Sequence, residues 1–363
     1  MGELKIKILF ILPSLRAGGA ERVISFIAQN MDKSLFEPTL LVIGFEKDKT
    51  YSIENVHTIF LNKTRVLGGI YSLFLYILKY KPNIVMSSIT HVNIVLGIFS
   101  FFFPIIKFIA REASVGGNRV VSKSLKNALL ITISKIAYPR LNKIICQSKD
   151  MRIDLLNNYK LSPEKVLIIN NPITNFKDVS SIAKPRDKNS CVRYITIGRL
   201  VEVKGHLRIL KALSKISFDY SYTIIGEGPL KDDIFKAIID YGIQDKIIYI
   251  PFTSEVSKYL MESDLFLQGS FVEGFPNAVL ESCAVGTPVL AFNAPGGTKE
   301  IIEDFVNGFI VNNETEFFTK LNEKQNWNPS LIKNHVFQKF SKDKIMESYS
   351  NLFLEVLTNS ARS

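Results

Sequence analysis

Cysteine and histidine are scarce in this sequence. Three cysteines, Cys146, Cys191 and Cys283, stand apart from one another, and only four histidines accompany them. Neither a zinc-type spacing nor a disulfide framework can be drawn from so few, so the chain reads as a reduced, cytoplasmic protein with no resident metal or cofactor. Proline and glycine are few as well, 14 and 20 among 363 residues. Together with 47% hydrophobic residues this excludes a disordered chain and leaves a globular one, long enough for two domains with separate cores. Long apolar runs are also missing at the start. In LKIKILFILPSLRAGG the run Ile8 to Leu12 is closed by Pro13 and Arg16, too short for a secretory leader and suited to a buried first strand. The stretch NIVLGIFSFFFPIIKFIA, Asn93 to Ala110, is nearly long enough to span a bilayer, but Pro104 divides it and Lys107 charges its second half. A helix ending near Phe103 and a strand from Ile105 to Ala110 account for both. Acids are outnumbered, 34 against 45 Lys and Arg, leaving a net +11 that suits nucleic acid, an anionic membrane face or an acidic small molecule. No nucleic-acid-binding module is recognisable, and none is expected as a partner.

What is present is a rhythm. Short β-branched runs at Ile6–Leu12, Thr39–Phe45, Asn83–Ser87, Ile105–Ala110 and Lys143–Gln147 alternate with helical patterns such as Ala20–Met31 and Ile70–Tyr80. Strand, helix, strand in this order predicts a parallel sheet covered on both faces. The rhythm stops in FKDVSSIAKPRDKNS, 176–190, which reads as a linker. It resumes with strands at Val192–Gly198, Tyr222–Gly226, Lys246–Ile250, Asp264–Gln268 and Thr287–Phe292. The expectation is therefore α/β, two Rossmann-like doubly wound domains (1–175 and 191–341), with ligands in a central cleft facing the carboxyl ends of both sheets. A last helix, from about 342 to the end, is expected to pack back on the first domain.

Five stretches after strands carry the chemistry. LRAGGAERV places Gly18 and Gly19 where a backbone can approach a ligand, before a helix whose amides aim at that point. TIGRLVEVKGHLRIL sets Arg199 and Lys204 around a turn, a fork and a point charge that could neutralise a diphosphate. IIGEGPL holds Glu227 between two glycines, and APGGTKEII repeats the glycine pair ahead of Glu300. In FVEGFPNAVLE, Gly274 and Pro276 predict a turn at Gly274-Phe275 and a helix from Pro276. Glu273 then lies in a loop at a helix mouth and Glu281 inside the helix. Such a mouth exposes backbone N–H groups around Asn277 and Ala278 and suits a phosphate, while a carboxylate can take two neighbouring hydroxyls at once. Each stretch alone is matched by a plain reading, a simple turn or a surface charge. Their common position, each after a strand, is what counts.

The order GGAER, GRL…KG, GEGP, EGFPNAVLE and APGGTKEII resembles the family-4 retaining glycosyltransferases of GT-B fold, over almost the whole chain. The resemblance implies that the carboxyl-terminal domain holds a nucleotide sugar, with UDP favoured, and the amino-terminal domain the acceptor. It implies catalytic roles for Glu273, Lys204 and Arg199. Glu281 would bind the ribose, Glu273 the sugar hydroxyls, and Arg199 with Lys204 the diphosphate. Backbone around Gly274, Phe275, Pro276, Asn277 and Ala278 would meet sugar and phosphate, with Gly198 and Glu227 also on the donor side and Gly19 approaching from the other domain. No metal is needed for such a step. GGAER-type relatives look like enzymes of bacterial surface-polysaccharide assembly, so a glycan or polyprenyl-linked acceptor and peripheral contact with an anionic membrane are expected. One departure stands out: the family's histidine after KFIAREAS is absent, leaving Arg111, Glu112 and Ser114 there. Arg111, Glu112, His91 and Gly18 are the acceptor-side candidates. A non-catalytic partner subunit of the same fold is the alternative.

Overall fold

The computed structural model describes residues 5–16, 18–113, 125–174 and 191–358. The segment read as a linker, 176–190, and Ser114 lie outside the described residues. The chain forms two compact units: Met1–Thr174 with Lys342–Ser363, and Asn175–Ser341.

In the first unit the strands are β1 (Ile6–Leu12), β2 (Phe36–Val42), β3 (His57–Phe60), β4 (Ile84–Ser87), β5 (Lys107–Arg111), β6 (Lys143–Cys146) and β7 (Val166–Ile168). Its helices are α1 (Gly19–Asn30), α2 (Val66–Tyr80), α3 (Thr90–Phe99), α4 (Leu125–Ala137) and α5 (Lys149–Asn158). In the second unit are strands β8 (Val192–Ile197), β9 (Tyr220–Ile225), β10 (Ile247–Ile250), β11 (Leu265–Gln268), β12 (Val289–Phe292) and β13 (Gly308–Val311). Around them lie α6 (His206–Leu213), α7 (Lys231–Asp240), α8 (Val256–Glu262), α9 (Asn277–Val285), α10 (Thr298–Ile301), α11 (Glu314–Asn322) and α12 (Pro329–Phe340), before the last helix α13 (Lys342–Thr358).

The sheets run β3-β2-β1-β4-β5-β6-β7 and β10-β9-β8-β11-β12-β13, and every pairing between neighbours is parallel. Both are the doubly wound α/β sheets the sequence implied. Strand order reverses at β1/β4 and again at β8/β11, the crevices where such sheets take ligands.

Three expected boundaries are corrected. The strand placed at Thr39–Phe45 starts at Phe36, because pairing with β1 sets Phe36 opposite Ile6. The helix expected to end near Phe103 ends at Phe99 and the following strand begins at Lys107, with turns around Pro104. The helix expected from Pro276 starts at Asn277, with Pro276 as its cap residue. Among the described residues no helix is long and apolar enough to cross a membrane.

The faces of the first sheet bury two cores. One joins Ile8, Phe10 and Val42 to α1 and α13; the other joins Leu9 and Ile11 to α2, α3 and α5. In α13 the buried positions Ile345, Met346, Tyr349, Leu352, Phe353 and Val356 recur every three or four residues, one stripe of a helix. Phe353 meets Phe10 and Phe36 edge to face, with ring centroids 6.2 and 6.1 Å apart.

Candidate active site

The site is built on the carboxyl edge of the second sheet from the loops after β8, β9, β11 and β12. Two glycines let these loops lie on one another. A Cβ on Gly226, whose φ is +144°, would stand 2.0 Å from the Gly198 carbonyl oxygen, and one on Gly296, φ +122°, would stand 1.8 Å from that of Glu273. Only glycine fits there. In the structure these glycines permit loop to touch loop. Leu200 N donates to the Glu227 carbonyl at 2.9 Å, so Glu227 contributes its backbone to this lacing while its side chain is exposed.

Glu273 and Lys204 come together here. Glu273 is 8% exposed, and its Oε1 accepts from Lys204 Nζ at 2.6 Å, Ser270 Oγ at 2.5 Å and Gln268 Nε2 at 3.4 Å. Its Oε2 takes no hydrogen bond from the described residues. Lys204 closes a short 3-10 turn, Glu202–Lys204, and its stem passes 3.8 Å from where a Cβ on Gly198 would sit. A Cβ at 198 would make ordinary van der Waals contact with that stem. Arg199, in the same loop, is exposed.

Next to the pair begins α9. Its first amides have no partner within the helix, a feature of every helix start, and those of Asn277 and Ala278 are the first two. From Val279 to Val285 every residue is buried, Glu281 included at 7% exposed. Gly274, Phe275 and Pro276 are buried too. The Phe275 ring packs edge to face on Phe340 of α12, centroids 5.5 Å apart, so its side chain anchors the loop and only its backbone can serve a ligand.

The sequence reading missed what holds these pieces. Arg208 of α6 donates from Nε to the Gly269 carbonyl at 2.5 Å and from Nη2 to that of Ser270. Its guanidinium stacks on Phe271 and Phe292, 4.1 and 3.6 Å from their centroids. Burial pulls its pKa down to about 10. Arg208 thus clamps the loop that carries Ser270 and Glu273. No local signal marks it, since its partners lie some sixty to eighty residues onward. Arg208→Ala should therefore lower the unfolding temperature by roughly 5 °C or more, through lost charged hydrogen bonds, and raise the KM for any substrate that the Glu273 loop holds. Arg208→Lys should restore only part, lacking the fork. Calorimetry and initial rates check both, and a variant unchanged in either would remove the clamp. His206 lies beside it, 2% exposed, with Nε2 3.1 Å from the Arg199 carbonyl oxygen and a pKa lowered by burial. A concavity of about 310 Å³ opens past Gly205, Arg208, Leu230 and Phe271, but neither Glu273 nor Glu281 lines it.

The acceptor-side candidates lie in the first unit. Gly18 caps α1 and Gly19 begins it. A Cβ on Gly18 would stand 2.1 Å from Glu21 Oε2, so the missing side chain leaves room for Glu21, whose pKa is raised by desolvation. His91 is exposed in the first turn of α3. Arg111 and Glu112 lie deeper than residues after a strand usually do. Both are 1% exposed. Arg111 donates to Ser88 Oγ at 2.6 Å and to Asn171 Oδ1, while Glu112 accepts from Asn93 Nδ2 at 2.9 Å, Thr90 Oγ1 at 3.2 Å and Tyr138. Both side chains are thus engaged within the first unit, although Arg111 Nε is buried without a hydrogen-bond partner among the described residues. No group of three or more His, Cys, Asp or Glu that could hold a metal occurs among the described residues.

Residues 181–325 match the family described as Glycosyl transferases group 1. The N-acetylgalactosamine-N,N'-diacetylbacillosaminyl-diphospho-undecaprenol 4-alpha-N-acetylgalactosaminyltransferase of Campylobacter jejuni is 29% identical over 203 residues, 54% of this chain and 54% of that protein. The match thus spans about half the length of that relative. Among solved structures, the lipopolysaccharide outer core galactosyltransferase WaaB superposes with a TM-score of 0.77 at 16% identity, covering 96% of this chain and 99% of that one. Anabaena HepE in complex with UDP gives 0.79 at 18%, covering 96% and 100%, and at such identities the likeness is one of fold. Residues 181–325 thus resemble the group 1 glycosyltransferases, and the chain's two Rossmann-like units have the GT-B fold of the solved glycosyltransferase structures.

Proposed function

We propose that the chain is a retaining, family-4 glycosyltransferase of the GGAER type that moves a hexose or N-acetylhexosamine from a UDP-sugar to a hydroxyl of a polyprenyl-linked glycan at the inner face of a bacterial membrane. The observation that carries this is the asymmetry of Glu273. One carboxylate oxygen is saturated by Lys204, Ser270 and Gln268, and the other takes no hydrogen bond from the described residues. An ionised carboxylate held by one oxygen can accept from two adjacent sugar hydroxyls with the other. Lys204 has three donors and needs one for Glu273, so it can meet a phosphate without releasing the acid. With Arg199 and the first amides of α9 it would stabilise negative charge growing on the departing diphosphate, with no metal required. Glu281 would take the ribose hydroxyls. The diphosphate, on leaving, would accept the acceptor's proton, so that no enzyme carboxylate becomes a covalent nucleophile. The undecaprenol-linked substrate in the name of the Campylobacter relative and the UDP bound to HepE support this choice of partners.

Calorimetry with UDP tests the donor half. Glu281→Ala is expected to weaken UDP by about 1.5–3 kcal/mol, the worth of hydrogen bonds to a charged group, and unchanged affinity would contradict the ribose role. Proton NMR of the product should show an α-linkage, and a β-linked product from an α-linked donor would sink the retaining assignment. Release of no diphosphate from any nucleotide sugar would favour the non-catalytic partner subunit.

A further inference from the structure

Charge and apolar exposure coincide in one layer of the first unit. From Asn55 to Lys149 the sequence contains thirteen Lys and Arg and a single acid, Glu112, which is buried. Since the whole chain carries +11, the remainder is close to neutral and the excess belongs to this segment. The same segment folds into α2, α3 and α4, which cover one face of the first sheet, with α3 packed against both of the others.

The outer side of that layer is apolar. On α2, Leu67, Tyr71, Leu75 and Leu78 form one stripe, and Leu67 and Tyr71 are 76% and 73% exposed. The opposite side of the helix, with Leu73 and Ile77, is fully buried, so the core does not account for the outer stripe. Beyond the end of α3, Phe102 and Ile105 are 63% and 89% exposed, and Phe102 adjoins the α2 ring Phe74 with centroids 5.8 Å apart. On α4, Leu129 and Ile136 are each 60% exposed. Exposed cations border the patch: Arg65 before α2, Lys79 and Lys81 at its end, Lys135 on α4, and Arg140, whose guanidinium lies 4.4 Å from the Phe101 ring centroid.

We infer that the outer face of α2, α3 and α4 is where this protein sits on an anionic lipid bilayer. Leucine and aromatic side chains would enter the boundary between headgroups and acyl chains, while lysine and arginine stems lie along it and keep their charges among the phosphates. A rim in which cations outnumber the nearby acids, Glu37 beside Tyr76 and Tyr80 and Glu164 beside Lys165, matches an anionic surface. This face gives a reason for the membrane-held acceptor proposed above and rests on that reading only for its purpose.

The experiment uses the full chain with vesicles of phosphatidylcholine alone or mixed with phosphatidylglycerol, without nucleotide or acceptor. Cosedimentation should be at least about tenfold stronger with the anionic vesicles and weaken as salt rises from about 0.1 M to about 0.5 M. Combining Tyr71→Ser, Leu75→Ser and Phe102→Ser should lower binding by about tenfold or more, with the unfolding temperature unchanged. In a Trp327→Phe background, Tyr71→Trp should shift its emission to shorter wavelength with anionic vesicles. Binding that survives the triple variant, ignores lipid charge, or leaves the emission unshifted would overturn the inference. So would a self-association in the absence of lipid that the same variant abolishes, which would give the face to a second protein chain. Sugar transfer without vesicle binding removes this surface alone, and vesicle binding without transfer removes the enzymatic reading alone.

Discussion

Lys204→Ala is expected to lower turnover by about a hundredfold or more, the usual cost of losing one preorganised donor to charge that grows in the transition state. The loss should fall on kcat more than on KM, because a cation serving the leaving group acts mainly as the bond breaks. Lys204 is 2.6 Å from Glu273 Oε1, yet Ser270 and Gln268 also reach that oxygen, so the loop should keep its shape without the ammonium. Glu273→Gln supplies the complementary case. A neutral amide still offers one acceptor and one donor, and activity should drop without a glycosylated enzyme accumulating on donor alone. Rates of UDP release and intact mass read the two results. Full activity in Lys204→Ala would remove the diphosphate assignment, and a stable adduct on Glu273 would make it a nucleophile.

Arg111→Met should be the most damaging single change in the first unit, costing about 3–5 kcal/mol of its stability. The guanidinium is 1% exposed and serves Ser88 and Asn171, with the Tyr349 hydroxyl beside it and Glu21 as a countercharge. Removing it leaves those polar groups short of a donor in a dry interior, and desolvation, already the main cause raising Glu21, is then opposed by one charge fewer. Arg111→Lys should recover little, since an ammonium cannot point two donors as the fork does. Denaturant unfolding followed in a first-unit probe measures the effect, and because two units can melt apart, a single midpoint is not sufficient. A variant with an unaltered first-unit transition would show the network to be dispensable.

The sequence was most legible where periodicity is long. The first strand, Ile6–Leu12, has the bounds expected of it, because seven apolar or half-buried positions end at Pro13. The strands it hid, β3, β7 and β13, have three or four residues each and lie at sheet edges, where neither alternation nor an unbroken apolar run develops. At the site, Glu273 and Lys204 were visible as residue types in loops after strands, and the structure sets them in one ion pair. Arg208 was not, because a clamp made of distant carbonyls and rings leaves no mark in its own neighbourhood. The partners of Arg111 and Glu112 were hidden for a related reason: charged residues after a strand usually face solvent, and only tertiary structure shows that Ser88, Asn93 and Asn171 converge on them.

The position of α13 bears on how the chain is made. The second unit, Asn175–Ser341, is continuous in sequence, whereas the first takes its last helix from residues 342 onward. During synthesis the second unit has all of its chain while the first, begun before it, still lacks Tyr349 and Phe353 on the sheet face that α13 shares with α1. Strands β1 to β7 thus wait on residues 342 onward, with a partly uncovered apolar face in the interval that a chaperone can shield. Protease digestion of ribosome-arrested chains would read this order, and a first unit already resistant before Lys342 emerges would refute it.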